Sequence, residues 1–301
     1  MALLGRDTSV TGPFPEGVLL LESLTGAETL GVPYEFDLVL LSTDHNIDAD
    51  DVLGQPMAVG IKLNNQQDRF FHGIVTQFAK VGTARLHTRY RAVLKPQLSQ
   101  FDDTFDCRVF NDRSQDALSI VRAVLAHRGL TDVDSDAVTN HVFRQREYCV
   151  QFRESDFNFV QRLLEEEGIY YYFRHQGSKH TLVLADSLTG HQTADGYETI
   201  AYTPKERKVT GAEEHFWGMR VRKAVYPGRH TVLSGYDPTQ VRPRQLQLGE
   251  AASRAPAPGA PFEHYDYPGG LFDPEEARQE AALRTQLNCV ENTGYRAVLS
   301  S

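Results

Sequence analysis

Apolar and polar residues alternate with a period of two through Tyr34, Phe36, Leu38 and Leu40, and again through Met57, Val59, Ile61 and Leu63. A period of two with one apolar face is the pattern of a half-buried strand. Asn64-Asn65 supplies turn chemistry, and Phe70-Phe71-His72-Gly73-Ile74-Val75 returns as the next strand. Tyr90, Ala92 and Leu94 form another, closed by Pro96. Short strands at this spacing predict a small barrel or sandwich over the first hundred residues.

The texture changes near Phe105. Phe105, Cys107 and Val109 read as a strand. Ser114 is placed to cap a helix with Ala117, Ile120, Val121, Val124 and Leu125 on its apolar face and Gly129 as its stop.

Residues 146–173 carry the most specific pattern. Tyr148, Val150 and Phe152 alternate with Cys149, Gln151 and Arg153, which predicts a strand with the first set buried. Ser155 stands at a helix N-cap, where its hydroxyl can accept a bond from a first-turn N–H, and Asp156 adds negative charge at the positive end of the helix dipole. Phe157, Val160 and Leu164, widened by Phe159 and Leu163, make one broad apolar stripe. Gly168 can take the left-handed conformation that ends a helix. Glu165, Glu166 and Glu167 oppose the dipole. They read as a solvated acidic turn, with an acidic contact for a basic partner as the sharper alternative. Ile169 to Phe173 and Thr181 to Leu184 then flank Gly177-Ser178 as a hairpin.

Beyond residue 200 the chain is β-rich around Phe216 to Val221 and His230 to Leu233. Residues 249–261, rich in Ala, Pro and Gly, read as an exposed loop. Asp273-Pro274-Glu275-Glu276 opens a helix with a cap, a proline at its first position and a glutamate three residues after the cap, running through Leu283 and Leu287. The organisation expected is a first β-barrel domain over 1–104, an α+β domain over 105–187, and a second β domain with a helical insertion over 188–301.

The 301 residues suffice for two or three domains. A net charge of −9 argues against phosphate-backbone binding as the main task, so no nucleic-acid partner is expected. The local basic stretch Arg220, Arg222, Lys223 and Arg229 reads as strand-surface charge. Cys107, Cys149 and Cys289 lack C-x-x-C spacing, which fits reduced thiols rather than a disulfide scaffold. The first thirty residues lack a basic start followed by an apolar core, and Val18 to Leu21 is too short for a signal core or a membrane span. Synthesis in the cytoplasm without a cleaved signal is the expectation.

Candidate chemistry is sparse. Asp44-His45-Asn46-Ile47-Asp48-Ala49-Asp50 opens like a calcium loop, but Ala49 replaces the turn glycine and Gln55 the bidentate glutamate, so a solvated loop is the better reading. His175 and His180 could face each other across the hairpin; two ligands without a third make a weak metal site, and titrating surface imidazoles are expected instead. Cys149 reads as a small buried thiol, no histidine being placed beside it by the sequence. The run Glu165 to Glu167 does not form the facing carboxylate pair that glycosidase chemistry needs. Nucleotide-loop, zinc-protease and nucleophile-elbow motifs do not occur. No catalytic, cofactor or metal residue is assigned, no cofactor is expected, and the chain is read as not an enzyme.

The run Arg146 to Phe173 resembles the hub part of VgrG, the spike protein family of type VI secretion systems, and more distantly the baseplate hubs of contractile-tailed phages. Phe71 to Val75, Tyr90 to Pro96, Gly235-Tyr236 with Asp237, Tyr265 to Gly269, and the helix bearing Ala277, Arg278 and Arg284 support the likeness. The resemblance implies a mainly β fold with α+β: two small tube-type β-barrels joined by an α+β domain, as in a phage baseplate hub. It implies a homotrimer whose six barrels form a pseudo-sixfold ring on a hexameric inner tube. Baseplate components and effector or adaptor proteins are the further partners implied, with export by sheath contraction. Full VgrG chains continue into another barrel and a Val-Gly-rich needle, so the expectation here is a fragment, or a second barrel incomplete at Ser301. The alternatives are a hub or tail protein of a phage or phage-like particle and, lower, a delivered glycan hydrolase.

Overall fold

In the computed structural model, residues 8–62, 68–84, 86–139, 143, 145–191, 193, 199–204, 215–223, 230–235, 246–248, 263–267, 274–290 and 293–299 are described. Asn64-Asn65, residues 236–237, 249–261 and Asp273 lie outside them. The chain divides into two compact units, Met1–Gly196 and Tyr197–Ser301.

The alternating stretches of the first hundred residues become six strands: β1 (Thr8–Thr11), β2 (Leu20–Thr29), β3 (Val32–Ser42), β4 (Pro56–Lys62), β5 (Asp68–Ala84) and β6 (His87–Lys95). They form one antiparallel sheet in the order β1-β4-β5-β6-β3-β2. Register shifts between Val75 and Gln77 and between Lys80 and Gly82 bend β5 against β6, as bulges do by adding local twist. The sheet curls until the outer strands β1 and β2 approach within 8 Å at their Cα atoms. Tyr34, Phe36, Leu38, Leu40, Met57, Val59, Tyr90, Ala92 and Leu94 fill its interior, the face that the period-two pattern predicts.

A 3-10 turn over Gln97–Asp103 leads into a second layer: β7 (Phe105–Phe110), α1 (Ala117–His127), β8 (Val133–Ala137), β9 (Cys149–Ser155), α2 (Asp156–Glu166), β10 (Tyr170–His175) and β11 (His180–Ala185). Among the described residues β7 pairs only with β9; β10 and β11 form a hairpin extended by β8, which runs parallel to β11. Ile120, Val121, Val124 and Leu125 of α1 pack with Phe159, Val160, Leu163 and Leu164 of α2 in a core of their own. The cap of α1 differs from the sequence expectation. Asp116 is the N-cap, in a reciprocal capping box with Ser119, and Ser114 instead bonds to Asp112. A carboxylate already aligned with the N3 amide takes the capping role from a hydroxyl two residues upstream. Gly129, at φ 77°, ends that helix as expected.

The second unit holds β12 (Ala201–Tyr202), β13 (His215–Lys223), β14 (His230–Gly235), β15 (Leu246–Leu248), β16 (Glu263–Asp266), α3 (Pro274–Val290) and β17 (Thr293–Leu299). Among the described residues of this unit two three-stranded sheets form, β12-β13-β17 and β15-β14-β16. α3 packs against β14 and β15 through Ala277, Ala281 and Thr285, whose spacing of four keeps them on one face. The architecture is mainly β with curled sheets and an α+β layer.

Candidate functional site

The run 146–173 folds as strand β9, helix α2 and strand β10. Ser155 caps α2 by accepting the Asn158 N–H at 3.2 Å, and Gly168 stops it at φ 66°. Asp156, fully buried at the first helical position, accepts bonds from Gln151 (2.8 Å), Thr104 (3.1 Å) and the guanidinium groups of Arg108 and Arg128. Burial alone would push its carboxyl up; the bonds from Gln151 and Arg128, with the Arg108 charge, outweigh that and hold it below the ordinary range. The buried end of the helix thus carries a paired charge on its positive pole.

In the acidic turn at the other end of α2, Glu165 and Glu166 are exposed, as a solvated turn requires, while Glu167 is turned inward. Arg146 donates to Glu166 and Glu167 at 2.7 Å each, and Glu167 is buried. Glu165 accepts from Gln161 at 2.9 Å. Arg162 adds Glu154 at 2.6 Å and Glu166 at 3.3 Å. The sequence contains this cation, ten residues before the helix, but strand-to-helix folding is required to bring it under the C-terminus. Two of the three carboxylates share one guanidinium, which is a structural clasp.

β9 also inverts the expected faces. Cys149 and Gln151 are buried, while Tyr148 and Phe152 are each 67% exposed. Gln151 goes inside because it bridges Arg108 and Asp156, an arrangement that side-chain hydrophobicity does not signal. A bulge lies at this point: Arg153 has φ 50°, and the register shifts between Asp106 and Cys107. On β7, Phe105 (67% exposed) and Val109 point outward as well. Cys107 faces Phe152 and Val109 faces Val150 across the two strands, so the ribbon presents an outward apolar stripe.

His175 and His180 do face each other across the hairpin, as the spacing suggests, but not at the surface. Both rings turn inward to meet His72 of β5: His72 and His180 approach at 2.9 Å between Nδ1 atoms, and His175 Nδ1 accepts the His72 N–H at 3.1 Å. Tyr34 packs edge-on against both hairpin imidazoles and donates to the His72 carbonyl at 2.6 Å. His72 lies 103 positions from His175, and only the assembled barrel places it there.

The remaining candidates are locally occupied. Asp44 accepts the Asn46 N–H and Asp48 the Asp50 N–H, so these oxygens shape their own loop. Among the described residues no group of three or more His, Cys, Asp or Glu side chains is arranged to hold a metal ion. Cys149 is buried in the second core, and that burial pushes its thiol up; Cys107 is exposed. Arg220 and Arg222 are exposed on β13, with Arg220 directly opposite Arg296 of β17; Arg229 lies outside the described residues.

Comparison with known proteins places this architecture. The profile described as phage tail baseplate hub (GPD) matches residues 27–297. The type VI secretion system spike protein VgrG1a of Pseudomonas aeruginosa is 35% identical over 285 residues, covering 94% of this chain and 43% of its own length. VgrG1c of the same organism is 34% identical, covering 97% of this chain and 39% of its own. The chain therefore spans less than half the length of these relatives. Among solved structures, the 43 kDa tail protein of prophage MuSo2 from Shewanella oneidensis superposes with a TM-score of 0.65 at 12% identity, over 99% of this chain and 83% of that one. An E. coli protein described as a type VI secretion component, with structural similarity to the T4 tail proteins gp27 and gp5, superposes with a TM-score of 0.54 at 23% identity, over 74% and 55%. A chain of a Francisella PdpA–VgrG complex matches at a TM-score of 0.55 and 9% identity, over 88% of this chain and 44% of that one.

Proposed function

We propose that this chain, which belongs to the phage tail baseplate hub family and has type VI secretion spike proteins as relatives, is the hub portion of such a spike. The observation that carries the reading is the hub-family match over residues 27–297, joined to 34–35% identity with spike proteins. In this reading the chain assembles as a homotrimer, docks on a hexameric inner tube, and transmits the thrust of sheath contraction. The regions 1–104, 105–187 and 188–301 then act as a first tube-type domain, an α+β connector and a second tube-type domain. Baseplate proteins and delivered effectors or adaptors are the other partners, and the route out of the cell is the apparatus itself.

A load-bearing joint of this kind calls for rigidity, not turnover. The ion clusters around Asp156 and Arg146 supply it by tying helix α2 at both ends to strands and loops of the second layer. The apolar stripe on β7 and β9 offers a surface for assembly. Among the described residues no helix is long and apolar enough to cross a membrane.

A prophage tail hub is the second reading, favoured by the near-complete superposition on the Shewanella tail protein. The spike reading stands ahead because the 34–35% identical relatives are spike proteins. Deletion in the native bacterium separates the two. A spike hub is required for release of the inner-tube protein into the medium, and a phage hub only for tail particles. Undiminished tube-protein release in the deletion strain would overturn the spike reading.

A further inference from the structure

Three imidazoles meet where the curled six-stranded sheet supports the β10–β11 hairpin. His72 comes from β5, and His175 and His180 close the mouth of the hairpin. Two backbone amides fix their protons. The Gln97 N–H donates to His180 Nε2 at 3.1 Å, so the His180 proton sits on Nδ1 and is donated to His72 Nδ1 at 2.9 Å. His72 then carries its own proton on Nε2, toward the Ser178 carbonyl. The His72 N–H donates to His175 Nδ1 at 3.1 Å, which leaves the His175 proton on Nε2, 3.0 Å from Glu28.

Every ring nitrogen in this set is therefore committed. A second proton on His180 would point at the Gln97 N–H, one on His72 at the His180 N–H, and one on His175 at the His72 N–H. Each would replace a hydrogen bond with two facing donors in a buried site, a costly exchange. Other groups also face the cluster. Tyr34 of β3 packs on the rings as a neutral phenol. Glu28 of β2 is shared with Arg69 of β5 at 3.8 Å. Asp132, before β8, is paired with Lys179 at 2.5 Å. The two carboxylates draw positive charge toward the rings, but each already has a cationic partner.

The same contact seats the hairpin. The Gly31 N–H, at the β2–β3 turn, donates to the Tyr171 carbonyl of β10 at 2.7 Å, and Phe173 packs edge-on against Tyr34. We propose that His72, His175 and His180 form an acid-opened latch that keeps the β10–β11 hairpin seated on the barrel while His72 and His180 are neutral and releases it when those two gain protons.

Burial, reinforced by the neighbouring imidazoles, pushes His72 and His180 down to about 4 in the closed state. Once open, each ring returns to its ordinary value of about 6.5. A lowered histidine value means that the open state binds more protons, so closure is complete above about pH 6.5 and weakens as pH falls toward 4. Each imidazole contributes up to about a tenfold change in the closed-to-open ratio per pH unit in that window, and two contribute up to about a hundredfold.

The test uses the 301-residue chain. Amide exchange at Gly31, corrected for the intrinsic pH dependence of exchange, is followed from pH 7.5 to 4.5, with imidazole NMR titrations recorded in parallel. The expected result is protection that falls at least about tenfold per unit below pH 6.5, while neither His72 nor His180 titrates near 6.5 in the closed protein. His180→Gln, which retains an acceptor for Gln97 and a donor for His72, should flatten that slope. Gly31 protection independent of pH, or His72 and His180 titrating at ordinary midpoints, would overturn the latch, whether or not the variant folds.

Discussion

Arg146 and Glu167, 21 residues apart, meet at 2.7 Å with only 11% and 9% of their side chains exposed. The pair joins the approach to β9 to the end of α2, and the other arm of the guanidinium takes Glu166 at 2.7 Å. A run of three glutamates at a helix C-terminus opposes the dipole. Here the opposition is answered by a cation supplied from the strand side of the same motif.

Removing that cation takes the guanidinium away from the buried Glu167 carboxylate, so Arg146→Ala should lower unfolding free energy by about 3 kcal/mol or more. Glu165→Ala, which touches only Gln161 at the surface, should change it by less than about 0.5 kcal/mol. Urea denaturation midpoints for the two variants check the contrast. Equal, small effects would show that the clasp does not hold the motif.

Asp156 is the counterpart at the start of the helix. Asp156→Ala removes the buried carboxylate that two guanidinium groups share, leaving them the part-exposed Asp106, and should cost roughly 3 kcal/mol at neutral pH. Its carboxyl lies below the ordinary range in the folded state, so its stabilisation is complete above about pH 4 and is lost as pH falls through the depressed value. The wild-type chain should therefore lose stability as pH falls below about 4 through this residue, and the variant should lack that part of the acid loss. Stability curves at fixed salt across that range measure it.

Reading the sequence alone recovers elements whose logic is local. Tyr34, Phe36, Leu38 and Leu40 announce β3 and its buried face because nothing polar competes for the interior there. Ser155 and Gly168 announce the ends of α2, since capping is decided within a few residues. β9 fails the same logic. Its alternation gives two faces, but Gln151 wins the interior through bonds to Arg108 and Asp156. The hairpin places His175 beside His180, a relation visible from the turn at Gly177. Their burial depends on His72 and Tyr34, which only tertiary packing delivers.

The inverted face of β9 can be checked by contrast. Phe152→Ser alters a mostly exposed ring and should leave stability within about 0.5 kcal/mol. Phe159→Ala empties a fully buried site in the second core and should cost about 3–5 kcal/mol. Thermal or chemical unfolding of the pair decides which face of the motif is inside. If the stripe is used in assembly, Phe152→Ser should reduce oligomerisation without reducing stability.

Thiol chemistry gives an independent view of the same ribbon. Cys107, opposite Phe152 on the outward face, should react with a maleimide within minutes in the folded chain. Cys149, buried and with its thiol pushed up, should react only on unfolding. Peptide mapping after a timed pulse reads both sites. Rapid labelling of Cys149 with Cys107 protected would reverse the assignment of faces.

The central claim is that this chain is an assembly hub. Sedimentation velocity of the chain, alone and mixed with hexameric inner-tube rings of the same secretion system, tests it most directly. The account predicts a species of three chain masses, or chain that co-sediments with the rings at three chains per hexamer. A chain that stays monomeric at every concentration and never co-sediments with the rings would contradict it.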